Sequence, residues 1–281
     1  MLKQRLLTVA VLMPIFIAAL FLMDTLSFAL FLLVILVFSL FEWAILSEIK
    51  STFTRVIYIA TGVAIVVMIQ YYELAGRELF IFVFAIWLVV IVRLFRFGHQ
   101  ENALQNPSGN GRLAWLDGYF VLLPGILGLE ILKAQDSASP QLLLVFFFII
   151  WSADTGAYLA GRSLGKHKLA PRISPGKTIE GLIGGLVGAL TIAAIVGVLV
   201  WELSAGKLIF WLLAVVFITL LSVAGDLFES IYKRRAGVKD SGKLLPGHGG
   251  ILDRIDSTCA ALPPYMLVLY QFNFLSSGIS T

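Results

Sequence analysis

Nine stretches of this chain are each apolar for about 20 residues, the length an α-helix needs to cross roughly 30 Å of hydrocarbon. They are centred approximately on residues 6–22, 26–46, 56–72, 79–95, 113–132, 141–161, 178–201, 207–226 and 257–275. In lipid every backbone N–H and C=O must be satisfied within the spanning segment, so such runs fold as helices rather than as open strands. The expected fold class is therefore all-α: a polytopic integral membrane protein with about nine transmembrane helices. Composition agrees, because 59% hydrophobic and only 14% charged residues, with a mean hydropathy of +0.94, leave too little polar surface for a soluble chain of 281 residues. The first run follows Lys3 and Arg5 but lacks a small-residue cleavage site, and a second run follows almost at once, so it reads as an uncleaved anchor. We see no internal repeat, heptad seam or low-complexity segment. The single cysteine, Cys259, excludes an intrachain disulfide. A single membrane-embedded domain over residues 1–281 is expected, with a mainly apolar half at 1–140 and a candidate catalytic half at 141–281 that carries the polar loops 162–177 and 227–256.

The cations orient the chain. With the amino terminus cytoplasmic, 18 of the 21 Lys and Arg residues fall on the cytoplasmic side, leaving Arg77, Lys133 and Lys207 outside. Positive residues concentrate on the inner face of membrane proteins, so the amino terminus is expected inside and the carboxyl terminus outside. The net charge of +4 is then a matter of membrane placement rather than a footprint for nucleic acid. Both polar loops fall on the cytoplasmic side, where nucleotides are.

Hydropathy disfavours four carboxylates: Glu42 in the second run, Asp154 in the sixth, Glu180 early in the seventh and Asp226 at the end of the eighth. Each costs about 2.5–3.5 kcal/mol at mid-bilayer on insertion scales and less near an interface, so one retained there points to a polar cavity or a partner, while for Glu180 and Asp226 simple solvation at the interface is the competing reading. Asp226 and Glu229 are three apart and share a helical face, and Ser230, Lys233 and Arg234 continue that helix to a cationic end. After Gly237, the segment KDSGKLLPGHGGILDRIDS at 239–257 brings Lys239 and Asp240, then a glycine-rich loop whose backbone can approach an anion closely. The segment closes on Asp253, Arg254 and Asp256, where the ninth helix should begin. Two carboxylates three residues apart at a helix start can share a hard divalent cation, which prefers oxygen ligands. Helix capping is the competing reading, and it accounts for one aspartate more readily than for the pair and its surroundings. For His248, between glycines, hydrogen bonding within the loop competes with a binding role; with no Cys or His at ligand spacing a zinc site does not fit.

The second polar block, GRSLGKHKLAPRISPGKT at 161–178, follows WSADTGAYLA. Its GKT ending is not a Walker A loop, because Pro171 stands where that motif needs its first glycine and no strand precedes it. Lys166, Lys168, Arg172 and Lys177 beside Ser174, Gly176 and Thr178 nonetheless make a basic, flexible patch suited to phosphate. A helix starting near Thr178 adds its positive end. The competing reading is a loop that touches only lipid headgroups.

The run Ser230, Lys233, Arg234, Lys239, Asp240 and PGHGGILDRID at 246–256 resembles the signature of phosphatidate cytidylyltransferases, the CDP-diacylglycerol synthases of bacterial and organellar membranes. WSADTGAYLAGRSLGKHKLAPRISPGKT at 151–178 is similar to that family's second polar block, whereas the amino-terminal half resembles it only in length and hydropathy. The resemblance implies a Mg²⁺-dependent nucleotidyltransferase of phospholipid biosynthesis that joins CTP and phosphatidate into CDP-diacylglycerol and pyrophosphate at the cytoplasmic face of a bacterial inner membrane. It assigns Asp226, Asp253 and Asp256 to the metal, with Asp154 and Asp240 as further ligands or groups behind them and room for a second cation. Lys239, Asp240, Arg254, Lys233 and Arg234 become the catalytic set. Lys166, Ser174, Lys177, Thr178, His248, Gly249 and Gly250 become the substrate-binding set. The expected partners are CTP, phosphatidate, membrane lipids and a second copy of the chain, and not nucleic acid. A CTP-dependent polyprenol kinase is the alternative, since it too handles a nucleotide and a lipid. A secondary transporter is a weaker one, since it should show an inverted repeat and midplane charges rather than charges gathered at one face.

Overall fold

The computed structural model describes residues 13–99, 114–135, 139–245, 247 and 249–275. Among them are nine helices, and these fall on the nine apolar runs: α1 (Met13–Leu22), α2 (Thr25–Leu46), α3 (Thr52–Tyr71), α4 (Arg77–His99), α5 (Ala114–Lys133), α6 (Ser139–Leu164), α7 (Ile179–Ile195, extended by a π-helical turn Val196–Val200), α8 (Ala205–Arg235) and α9 (Leu252–Gln271). Six of them, α2, α3, α5, α6, α7 with its π turn, and α8, are long and apolar enough to cross a membrane. The chain is thus an all-helical integral membrane protein.

Local chemistry fixes several helix starts. Asp24 accepts the Ser27 N–H (2.7 Å) to open α2, and the Thr178 hydroxyl accepts the Gly181 N–H (3.0 Å) to open α7. Each side chain occupies one of the amide donors that a first helical turn leaves unpaired. α5 and α9 run through the centre of the bundle, and a Cβ at Gly125 or Gly128 of α5 would strike Cys259 or Leu262 of α9. α3 lies at the periphery, with Phe53, Val56 and Met68 exposed as a lipid-facing helix requires. α6 and α7 approach through Gly156, Gly184, Gly185 and Gly188, small residues that let two backbones meet.

The connection between α6 and α7 differs from the flexible loop expected. α6 continues to Leu164, and β1 (Lys168–Ala170) pairs antiparallel with β2 (Ser174–Thr178) in a short hairpin that leads directly into α7. Its base is held by Glu180, which accepts the His167 backbone N–H (3.2 Å) and lies 2.6 Å from His167 Nδ1. Three- and five-residue strands leave too little alternation to stand out in a sequence.

Helix ends meet as an alternating path through a bilayer requires. Near the end of α2, the Trp43 indole N–H donates to the carbonyl of Ala114 at the start of α5 (2.9 Å). Tyr232, near the end of α8, donates to Asp117 of α5. At the opposite end of α5, Lys133 donates to the carbonyl of Leu20 in α1 (2.6 Å). The carboxyl ends of α2 and α8 and the start of α5 therefore share one face. The hairpin joins them there, because Arg234 of α8 donates to the carbonyl of Ile173 (3.1 Å).

Candidate active site

The polar segment between α8 and α9 folds onto a carboxylate from a distant helix. Glu42, 2% exposed in the apolar wall of α2, accepts hydrogen bonds from the Ser241 hydroxyl (2.9 Å), the Ile251 N–H (3.2 Å) and the Leu252 N–H (2.9 Å). The last two are orphan donors of the first turn of α9, so this helix is capped by a residue of another element rather than by its own neighbour. Gly242 and Gly250 are glycine for the same reason, since a Cβ on either would enter the Glu42 carboxylate. Gly249, at φ +87°, forms a two-residue bridge with Leu245 that turns the loop back on itself.

Asp253 is consumed by the same fold. Its Oδ2 accepts from the Ser241 N–H (2.8 Å), the Ser241 hydroxyl (3.0 Å) and the Gly250 N–H (2.8 Å), and its Oδ1 accepts from Lys233 Nζ (2.7 Å). The bond back to Gly250 has the character of a capping interaction, one of the two readings the sequence allowed. Lys233 also lies 3.3 Å from Glu229 Oε1, one helical turn away. Glu229 and Asp256 face one another in the interior, and the Asp256 Oδ1 accepts the Ser257 N–H (2.7 Å). A second centre adjoins the first: Lys177 of β2 pairs with Asp226 (2.7 Å) and donates to the Val223 carbonyl (3.4 Å), and the Ser230 hydroxyl donates to Asp226 (3.2 Å). The field of Asp226 reaches Asp256, which joins the two centres electrostatically.

Four carboxylates, Asp226, Glu229, Asp253 and Asp256, thus gather around two ammonium groups, Lys177 and Lys233. Unpaired charge in a low-dielectric interior is costly, so the excess of negative charge calls for protons or a cation. Both Glu229 oxygens are buried without a hydrogen-bond partner. Among the described residues no three His, Cys, Asp or Glu side chains are grouped at metal-ligand distances. The donor set is nevertheless all carboxylate oxygen, the chemistry of a hard divalent ion. Glu229 and Asp256 fit such an ion better than Asp253 or Asp226, whose oxygens both hold protein donors.

The other expected residues divide by position. Asp154, exposed on α6, stands within electrostatic reach of Lys177, Asp226 and Arg254. Arg254 is exposed on the first turn of α9, and Lys239 and Asp240 are exposed on the loop above it. Arg234 ties the hairpin turn to α8. Lys166 is exposed at the hairpin entrance and Ser174 is half-buried at the start of β2, while Thr178 is buried as the cap of α7. Gly249 and Gly250 lie against Asp253, and His248 is outside the described residues. Two side chains of this cluster lie outside the site sets expected from sequence. From sequence, Glu42 reads only as a carboxylate in need of a partner. Glu229 reads only as a helical neighbour of Asp226, although its spacing of four from Lys233 is a legible signal.

A helical membrane bundle whose carboxylates, lysines and basic hairpin collect at one end defines a membrane-embedded enzyme of phosphate chemistry. Residues 3–272 match the cytidylyltransferase family, and the chain belongs to that family. It is similar to the phosphatidate cytidylyltransferase of Pseudomonas aeruginosa, at 40% identity over 96% of this chain and 97% of the relative. It is also similar to the phosphatidate cytidylyltransferase of Haemophilus influenzae, at 36% identity over 94% and 96%, respectively. The enzyme of the same name from Staphylococcus haemolyticus is 45% identical over 57% of this chain and 62% of the relative.

Proposed function

We propose that this protein is a phosphatidate cytidylyltransferase: CTP and phosphatidate react to give CDP-diacylglycerol and pyrophosphate at the cytoplasmic face of a bacterial inner membrane. The observation that carries the reading is the junction of the two lysine–carboxylate centres beneath a basic hairpin, in a chain that matches such enzymes along nearly all of its length. A phosphatidate oxygen forms a bond to the α-phosphorus of CTP, the bond from that phosphorus to its bridging β oxygen breaks, and pyrophosphate leaves with the electron pair. The attacking phosphate is already an anion, so no strong base is required. The difficulty is to bring two polyanions together and to stabilise charge on the leaving group.

Lys177 and Lys233 are held at the site by their carboxylate partners. Arg254, Lys239 and Lys166 stand exposed around it, where they neutralise phosphate oxygens as the substrates arrive. The Gly249–Gly250 loop offers backbone with no side-chain bulk. Asp253 serves this reading as the anchor that orients Lys233 and the loop. Mg²⁺, when bound, would supply further charge neutralisation at the phosphates, and Glu229 and Asp256 would hold it, with Asp226 beside them. Asp154 and Asp240 are the remaining carboxylates for a second cation.

The test uses purified enzyme in phosphatidate vesicles with CTP labelled at either the α or the γ phosphate. Radioactivity should enter lipid from the α label only, in a Mg²⁺-dependent manner. Transfer of the γ label alone would replace this reading with a lipid kinase.

A further inference from the structure

An apolar cavity of about 130 Å³ opens beside the polar site. Its walls come from four elements: Ile91 of α4, Ala170 and Ile173 of the hairpin, Leu182 of α7, and Val223 and Leu227 of α8. Apolar cavities of about 150 Å³ stay dry and take up a group the size of benzene, so this one suits a few carbons of a hydrocarbon chain. Two of its lining residues are also hydrogen-bonded to site cations. The Val223 carbonyl accepts from Lys177 Nζ (3.4 Å), and the Ile173 carbonyl accepts from Arg234 Nε (3.1 Å). Apolar walls and cations therefore adjoin within single residues, an arrangement complementary to an amphiphile that joins an anionic head to a hydrocarbon tail. A free nucleotide has no use for the cavity, and a neutral lipid has none for the cations.

We infer that this cavity receives the glycerol-proximal part of one acyl chain of the phosphatidate substrate, with the lipid phosphate beside Lys177 and Arg234. The inference rests on the proposed reaction and adds where its lipid is held. The hairpin then serves both substrate parts, since β2 presents Lys177 to phosphate while Ala170 and Ile173 cover the chain. Filling the cavity should weaken phosphatidate binding without touching CTP.

The test is photolabelling of the full-length protein in phosphatidylethanolamine vesicles. Phosphatidate with a diazirine near the carboxyl end of one acyl chain is compared with phosphatidylcholine bearing the same chain. Phosphatidate should label segments 169–173 and 220–227, and excess unlabelled phosphatidate, but not phosphatidylcholine, should abolish that labelling. Equal labelling of these segments by both lipids, or no labelling of them by phosphatidate, overturns the inference. In parallel, Leu182→Trp and Ile91→Trp, which overfill the cavity from α7 and from α4, should raise the KM for phosphatidate by about fivefold or more and leave the KM for CTP unchanged. An unchanged phosphatidate KM in folded variants counts against it. The functional reading fails separately, if wild-type enzyme in the same vesicles forms no CDP-diacylglycerol.

Discussion

Asp253 and Asp256 sit three residues apart on the same helical start, yet their surroundings separate them. Asp253 has protein donors on both oxygens, whereas Asp256 faces Glu229, whose two oxygens have no hydrogen-bond partner. Asp256→Asn keeps size and backbone contact but removes charge from the proposed metal set. It should lower turnover by at least about a hundredfold, equivalent to roughly 2.7 kcal/mol of transition-state stabilisation, with expression near wild type. Near-normal turnover with an ordinary Mg²⁺ titration would take Asp256 out of the metal set. Glu42→Gln turns one acceptor oxygen into a donor among groups that all donate to it, so one buried bond is lost and a donor is left unpaired. A cost of about 1–3 kcal/mol is expected, seen as a lower thermal midpoint and as new protease cleavage between residues 239 and 251. A loop as resistant as in wild type would show that Glu42 does not hold it. Glu42 was legible as an anomaly because a carboxylate in an apolar run is conspicuous by itself. Its partners were not legible, since Ser241 and Leu252 lie 199 and 210 residues away and no local pattern connects them.

α6 and α7 bring Asp154 and the hairpin to the site, and they can do so because glycines face each other across their contact. A Cβ at Gly184 would stand 2.6 Å from the Gly156 carbonyl oxygen and would meet Ala160 as well. Gly184→Val should force the two helices apart at a cost of about 1–3 kcal/mol and lower the thermal midpoint of the solubilised protein. Gly206→Ala, where nothing lies within 4 Å of the added carbon, is the control and should leave it unchanged. Equal midpoints for the two variants would show that the close approach is not needed. At this scale the helices could be read from sequence because an apolar run of spanning length has one physical outcome. The extension of α8 to Arg235 was also readable, from the spacing of Asp226, Glu229 and Lys233. The hairpin escaped because Pro171, Gly176 and four cations look alike in a loop and in a tight strand pair.

For the molecule as a whole, the helix-end contacts put the hairpin and the α8–α9 loop at one end of the bundle, and the charge count predicts that this end is cytoplasmic. Cysteine labelling in intact cells reads the side directly. In a Cys259→Ala background, an impermeant reagent added outside should modify Lys207→Cys and spare Lys243→Cys. The reverse pattern would invert the orientation. The wild-type thiol is buried against Gly125 and must be removed first so that no signal arises from disrupted protein. The cap that Glu42 provides has a consequence for biogenesis. During synthesis α2 enters the bilayer long before α9 exists, so the carboxylate, one turn from the end of its helix, waits without its three donors in an unfavourable setting. That debt is discharged only when the final helix arrives. A ribosome-bound chain ending before residue 241 should therefore hold α2 loosely, and completion of α9 becomes the event that both locks α2 in place and assembles the enzyme.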